Sequence, residues 1–237
     1  MTHSPGETRR PAETHSPGET YRTETTHGPE RTGLVALDRV AVQESLRVLT
    51  AARDAADWER PTPCAGWTLR RLVAHMTAQH HGFAAAARGV GADRTYWIAH
   101  DLGGDPLERY AESVRHVLAA FAEDGAVERS FTLPEIGGAF PGRVAVGFHL
   151  VDHVAHGWDV ATSLGVPLDL PEDVVDAALA VARRVPTGPE HRGPGAAFAP
   201  PVPPPQDASP LDETLALLGR TPAAVAYAPV AYDVSRG

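Results

Sequence analysis

Apolar positions recur at helical spacing in separated blocks along the chain, divided by short runs rich in proline and glycine. Leu34, Val35, Leu37, Val40, Val42, Leu46, Val48 and Leu49 set a first helix over about 34–56. The two prolines and the glycine of Arg60-Pro61-Thr62-Pro63-Cys64-Ala65-Gly66-Trp67 stop it. Thr68 is the N-cap expected for a second helix from Leu69 to about Arg88, which buries Leu69, Leu72, Val73, Met76 and Phe83. Residues 89–104 hold Gly, Asp, Tyr96, Trp97 and His100 and read as a loop over a pocket. Asp105-Pro106 opens a third helix that runs to about Glu123, with the proline at the first helical position. An irregular or hairpin-like connection over 129–142 leads to a fourth helix, about 143–164, ended by Gly165. A fifth follows over about 172–184, then proline-rich extended chain over 186–209, and a short helix over about 210–218 closed by Gly219.

The fourth helix carries an unusual polar stripe. Read at 100° per residue, His149, Asp152, His153 and His156 fall within an arc of roughly 100°. Phe148, Leu150, Val151, Val154, Ala155, Trp158 and Ala161 fill the rest of the circumference, so other elements must wrap this helix. Imidazoles and a carboxylate at i, i+3, i+4 and i+7 suit a divalent metal; the alternative is a solvated face that happens to be histidine-rich. On the second helix, His75, Gln79 and His80 stand at or inside the margins of the apolar face. A histidine so placed is, by itself, more commonly a hydrogen-bonded core residue than a ligand.

Composition narrows the chemistry. With 237 residues, 43% of them hydrophobic, the chain can bury one sizeable core. A net charge of −9 and the lack of any basic stretch exclude a nucleic-acid partner and give no reason to expect a membrane surface. All 21 Lys+Arg residues are arginine, which removes Schiff-base and P-loop lysine chemistry. Cys64, alone, makes neither an internal disulfide nor a multi-cysteine zinc site, and its turn setting suits a buried, space-filling role. Without a secretory signal or a long apolar run, a cytoplasmic protein is expected. Residues 1–32 repeat THSPGET at 2–8 and 14–20, have almost no apolar residue beyond Tyr21, and are expected to be a disordered tail. Residues 33–222 then form the domain, and 223–237 a C-terminal tail.

The block Pro61-Thr62-Pro63-Cys64-Ala65-Gly66-Trp67-Thr68-Leu69-Arg70, continuing through Leu72-Val73-Ala74-His75, resembles the signature of actinobacterial DinB-like proteins. These are related to the N-terminal domain of mycothiol-dependent maleylpyruvate isomerase. His156-Gly157-Trp158-Asp159-Val160-Ala161 is similar to their second signature. Ala208-Ser209-Pro210-Leu211-Asp212 with Leu217-Leu218-Gly219-Arg220-Thr221-Pro222 is similar to the C-terminal signature of a metal-binding branch. The resemblance implies an all-α, DinB-like four-helix bundle with short C-terminal helices. It further implies a divalent metal held by His75, Asp152 and His156. The isomerases usually carry Glu where Asp152 stands, so His149 and His153 are natural substitutes, in a His75/His153/His149 set or a His75/His153/His156 set. The isomerases also carry a separate C-terminal domain, for which too little non-proline chain follows the fifth helix here.

Imidazole-rich ligation with little sulfur favours Zn²⁺, with Ni²⁺ next. With an open coordination position, the implied activity is metal-dependent activation of a low-molecular-weight thiol, mycothiol, for S-transfer or isomerisation. Arg71, Gln79 and the 89–104 loop are the candidates to hold that cosubstrate. A metal-hydroxide hydrolase with Asp159 or His153 as proton acceptor is the second reading, and a non-catalytic metal or small-molecule binding protein the third. The partner in each case is a small molecule, with a homodimer as the alternative to a monomer.

Overall fold

The computed structural model describes residues 31–53, 57–64, 66–192 and 196–222. The repeat tail over 1–30 and the C-terminal tail over 223–237 lie outside the described residues. The chain is mostly helical: α1 Arg31–Ala51, α2 Leu69–Ala87, α3 Pro106–Phe121, α4 Gly142–Leu164, α5 Glu172–Ala182 and α6 Pro210–Leu217. A 3-10 turn at Arg94–Trp97 and an antiparallel hairpin, β1 Ser130–Leu133 with β2 Gly138–Pro141, complete the described elements. Helix α1 therefore begins two residues inside the segment expected to be tail, and it stops short of the predicted end.

The helix boundaries follow local chemistry. The Thr68 side chain accepts from the Arg71 amide and Asp105 from that of Glu108. Ser209 and Asp212 cap α6 reciprocally, each side chain accepting from the other's amide. Gly165 ends α4 in the left-handed region at φ 68°, where a side chain would be strained. The 129–142 connection is a hairpin because Phe131 and Leu133 alternate inward and seat on the ends of α2, α3 and α4.

Helix α4 is the axis of the fold. It packs against α1, α2 and α5, while α2 packs on α3 and α3 on α1. Its residues enter every apolar cluster: Val160 and Leu164 with the first turns of α2, Ala145 and Val146 with the hairpin, Leu150 and Val154 with α5 and α6. Burial of each of the valines and leucines among them contributes about 1.5–3 kcal/mol. The proline-rich stretch does not stand off the body. Buried Arg192 donates to the carbonyls of Pro186 at 2.7 Å and Ala199 at 3.0 Å, and the Val202 amide donates to Ala216. Ala199 approaches Gly219, at φ 81°, so closely that any Cβ there would collide. Among the described residues no helix is long and apolar enough to cross a membrane.

Candidate metal centre

Helices α2 and α4 bring His75, Asp152 and His156 together, with ligand atoms within 4.8 Å of one another. His156 is almost fully enclosed, whereas Asp152 keeps 16% of its side chain exposed and His75 is partly exposed, so the group opens to solvent on one side. Hydrogen-bond accounting favours one His156 tautomer. Nδ1 lies 2.9 Å from Oδ2 of Asp159, a carboxylate that only accepts, and 3.3 Å from Nη2 of Arg220, which only donates; the shorter contact puts the proton on Nδ1 and leaves a lone pair on Nε2 of the neutral ring. That lone pair stands 3.5 Å from Oδ1 of Asp152, and Oδ2 of Asp152 is buried without a partner. Acceptors facing acceptors in a half-buried pocket call for a cation.

The charges agree with that arrangement. Burial pushes His75 down to about 4, with Asp152 opposing the shift, so the ring is neutral at physiological pH and its lone pair is available. Burial acts to raise the Asp152 carboxyl, but His156, His75, His153 and His149 around it outweigh burial and hold it below its ordinary value. Asp159 is likewise held low against burial by the Arg220 guanidinium and His156, with Arg220 Nη2 2.9 Å from Oδ2. The chain Arg220–Asp159–His156 is a charge-neutral support behind one ligand, the carboxylate–histidine device that orients metal-bound imidazoles.

The 61–68 turn forms one wall. Thr62 donates to the carbonyls of Trp67 and Cys64, and Ser163 of α4 donates to Pro61 at 2.9 Å, which ties the turn to the end of α4. Trp67 is thereby set edge-on to His75 at 5.0 Å and stacked near His156 at 6.3 Å. The exposed Arg71 guanidinium sits 4.8 Å over the Trp67 ring, at the rim of the pocket. Cys64 lies behind His156 and Asp159. Burial and the Asp159 charge push its thiol up to about 11, an inert packing group.

The structure places the other expected site residues elsewhere. Asp159, expected as a proton acceptor, is committed to His156 and Arg220 through the same oxygen and is fully buried. His149 and His153, expected to complete this ligand set or to accept its proton, are grouped instead with His80, all three fully enclosed. Gln79, expected as a cosubstrate contact, is buried and donates to Glu135 in the hairpin turn at 2.8 Å. Residues 98 and 100–103 of the expected pocket loop line a groove of about 390 Å³ with α2 and α3 that contains none of the three ligand candidates.

Glu135, which carried no sequence signal, is the addition. Burial and the nearby Asp152 charge raise its carboxyl above the ordinary value, while the Gln79 hydrogen bond opposes the rise. It is a partly buried group close enough to Asp152 to feel its charge. Its recruitment depends on the hairpin register, which no local motif encodes.

Comparison with known proteins places this geometry in context. Residues 39–161 match the mycothiol maleylpyruvate isomerase N-terminal domain. Two uncharacterized proteins, from two strains of Mycobacterium tuberculosis, are each 33% identical over 179 residues, 76% of this chain and 93% of theirs. The crystal structure of the mycothiol-dependent maleylpyruvate isomerase superposes with a TM-score of 0.51 at 18% identity, over 72% of this chain and 74% of that one. A histidine-to-alanine mutant of the same enzyme gives 0.53 at 17% identity with the same coverage. At such identities these two structures speak for a shared fold.

Proposed function

This chain belongs to the mycothiol maleylpyruvate isomerase N-terminal domain family, and from that premise we propose that it is a DinB-like four-helix-bundle enzyme that uses a divalent metal to activate a low-molecular-weight thiol, mycothiol, for S-transfer or isomerisation. The observation that carries the proposal is the open, acceptor-only group His75, Asp152 and His156 with Asp159 and Arg220 behind it. His75, Asp152 and His156 would hold the ion, with Zn²⁺ preferred by two neutral imidazoles and one carboxylate. Bound there, the ion supplies Lewis acidity that favours a thiolate near neutral pH.

The other roles belong to the chain's own residues. Asp159 keeps the proton on Nδ1 of His156 and the lone pair on Nε2. Arg220 cancels the Asp159 charge, so the support adds no excess negative field. Glu135, raised toward neutrality, takes up a proton at its carboxylate while Gln79 holds Oε2 in place. Arg71 on Trp67 offers polar and stacking contact at the mouth for the cosubstrate's sugar groups.

The test is product analysis after incubating Zn²⁺-loaded protein with mycothiol and a generic electrophile. A thioether or an isomerised product whose formation is lost in His75→Ala and His156→Ala supports the proposal. Turnover that proceeds equally without thiol would make the protein a hydrolase. Metal binding with neither turnover nor stabilisation by mycothiol would make it a binding protein for another molecule.

A further inference from the structure

The histidines that the first site leaves out form a group of their own. His80 from α2 and His149 and His153 from α4 present ligand nitrogens within 4.8 Å of one another. All are fully buried, at 0%, 0% and 1% exposure. His80 and His153 are stacked with centroids 4.5 Å apart, and His149 and His153 are 4.0 Å apart.

The tautomer of each ring follows from its neighbours. Nδ1 of His153 lies 3.0 Å from the His149 carbonyl, which only accepts, so Nδ1 carries the proton. Nδ1 of His149 lies 2.7 Å from Oδ1 of Asp38 and donates to that carboxylate. Nδ1 of His80 lies 2.8 Å from Oγ of Ser113, whose single hydrogen is already given to the Tyr110 carbonyl at 2.7 Å, so His80 donates there too. Every Nε2 is therefore a bare lone pair, and each of the three is buried without a hydrogen-bond partner.

Each of these acceptors left empty carries an uncompensated desolvation cost. One water donates two hydrogens and cannot satisfy three lone pairs. A divalent cation satisfies all of them, and a charge is also what the surroundings lack. Asp38 is fully buried, its Oδ2 has no partner, and its hydrogen-bond partner is His149. Phe83 and Phe121 flank His149 at 4.9 and 5.2 Å and seal the group from solvent.

We infer that His80, His149 and His153 form a second divalent-metal site, an all-imidazole, solvent-excluded centre in the helical core, with Asp38, Ser113 and the His149 carbonyl holding the ligands from behind. Zn²⁺, Co²⁺ or Ni²⁺ is the class of ion that three neutral imidazoles take. Tetrahedral bonds of 2.0–2.1 Å need nitrogens about 3.4 Å apart, a spacing compatible with three ligand atoms that lie within 4.8 Å of one another. Both sites have the same construction: one residue of α2 with an i, i+4 pair of α4. His80 lies five residues past His75, and the pair His149/His153 three residues before Asp152/His156, as antiparallel helices require. The inner site is independent of the outer one in its ligands, and it binds rather than turns over.

Metal counting on the full chain tests it. Zn²⁺ content is measured after dialysis for the wild type, for His75→Ala/His156→Ala, for His80→Phe and for all three substitutions combined. The expected result is two equivalents, one, one and none. The equivalent retained by His75→Ala/His156→Ala should leave to a chelator slowly, and in the cobalt-loaded protein it should give an absorption spectrum of all-nitrogen coordination. His80→Phe matches the aromatic walls in shape; should it fail to fold, the stoichiometry and thermal stabilisation by Zn²⁺ of His75→Ala/His156→Ala decide the matter. One equivalent in the wild type and none in His75→Ala/His156→Ala overturns the inner site and leaves the outer one standing. One equivalent that survives in His75→Ala/His156→Ala and vanishes in His80→Phe does the reverse.

Discussion

Replacing Asp159 by Asn probes the link between the outer site and the C-terminal segment. The carboxylate is fully buried, accepts from Nδ1 of His156 at 2.9 Å and pairs with Arg220 at 2.9 Å. Supporting carboxylates of this kind typically contribute 10–100-fold in metal affinity, so Asp159→Asn should weaken the outer site by about 1.4–2.7 kcal/mol. The same change leaves a buried guanidinium, 8% exposed, without its counter-charge. That costs about 3–5 kcal/mol, or a melting temperature about 6–20 °C lower for a chain of this size. A second variant separates the two effects. Asp159→Asn/Arg220→Met removes both charges, so it should recover much of the stability and none of the metal affinity. Competition against a chromophoric chelator at a temperature where every variant is folded, beside melting curves without metal, reads both quantities. Wild-type affinity in Asp159→Asn, or affinity that returns together with stability in the double variant, would refute the orienting role and reduce Asp159 to a structural ion pair.

Other outcomes follow from single observations. With its thiol at about 11 rather than the ordinary 9.0, Cys64 should carry about 100-fold less thiolate than a free cysteine near neutral pH; iodoacetamide labelling of folded protein should be slower by that factor and speed up toward pH 11. Glu135 binds its proton more tightly folded than unfolded, so stability should fall as pH rises through the window from its ordinary value to its raised one. Glu135→Gln should abolish that slope in pH-dependent melting, raise the melting temperature above the window, and remove the corresponding limb from the pH profile of turnover. A methyl group at Gly82 would collide with the Trp97 ring, which donates to the Gly91 carbonyl at 2.9 Å. Gly82→Ala should therefore cost about 1–3 kcal/mol and red-shift the tryptophan emission as the ring moves into water.

The helices of the fold were legible because their ends announce themselves locally. Thr68, Asp105 with Pro106, and Gly165 act at the helix ends where capping chemistry puts them. The hairpin was only half legible: Thr132, Pro134 and the paired glycines mark a connection, but the inward alternation of Phe131 and Leu133 covers only a four-residue strand, too short a signal to specify pairing. The course of the proline-rich stretch could not be read at all, because what pins it is Arg192 reaching three carbonyls and Ala199 closing on Gly219. Such contacts are set by tertiary approach and leave no periodicity.

The polar stripe of α4 was visible as a stripe but not as a pair of sites, although helix geometry contains the distinction. From His149 to His156 the backbone rises about 10.5 Å, three times the spacing between the ligands of one ion. A single centre cannot use both ends, so the stripe must divide into its two i, i+4 pairs, His149 with His153 and Asp152 with His156. Each pair then needs a third donor at its own height on the facing helix, and α2 carries histidines at two heights, His75 and His80. What separates their chemistry is the level each occupies. The outer pair sits beside the 61–68 turn, partly open and containing a carboxylate; the inner pair sits between Phe83 and Phe121, closed and all imidazole. An open mixed-ligand group suits exchange of a substrate thiol, whereas a closed one suits an ion that stays. The inner ion would then hold α2 against α4 at the height where Asp38 brings α1 into the same network. Stripping it should loosen α1, α2 and α4 together, read as faster amide exchange in these three helices, while loss of the outer ion alone leaves their exchange unchanged.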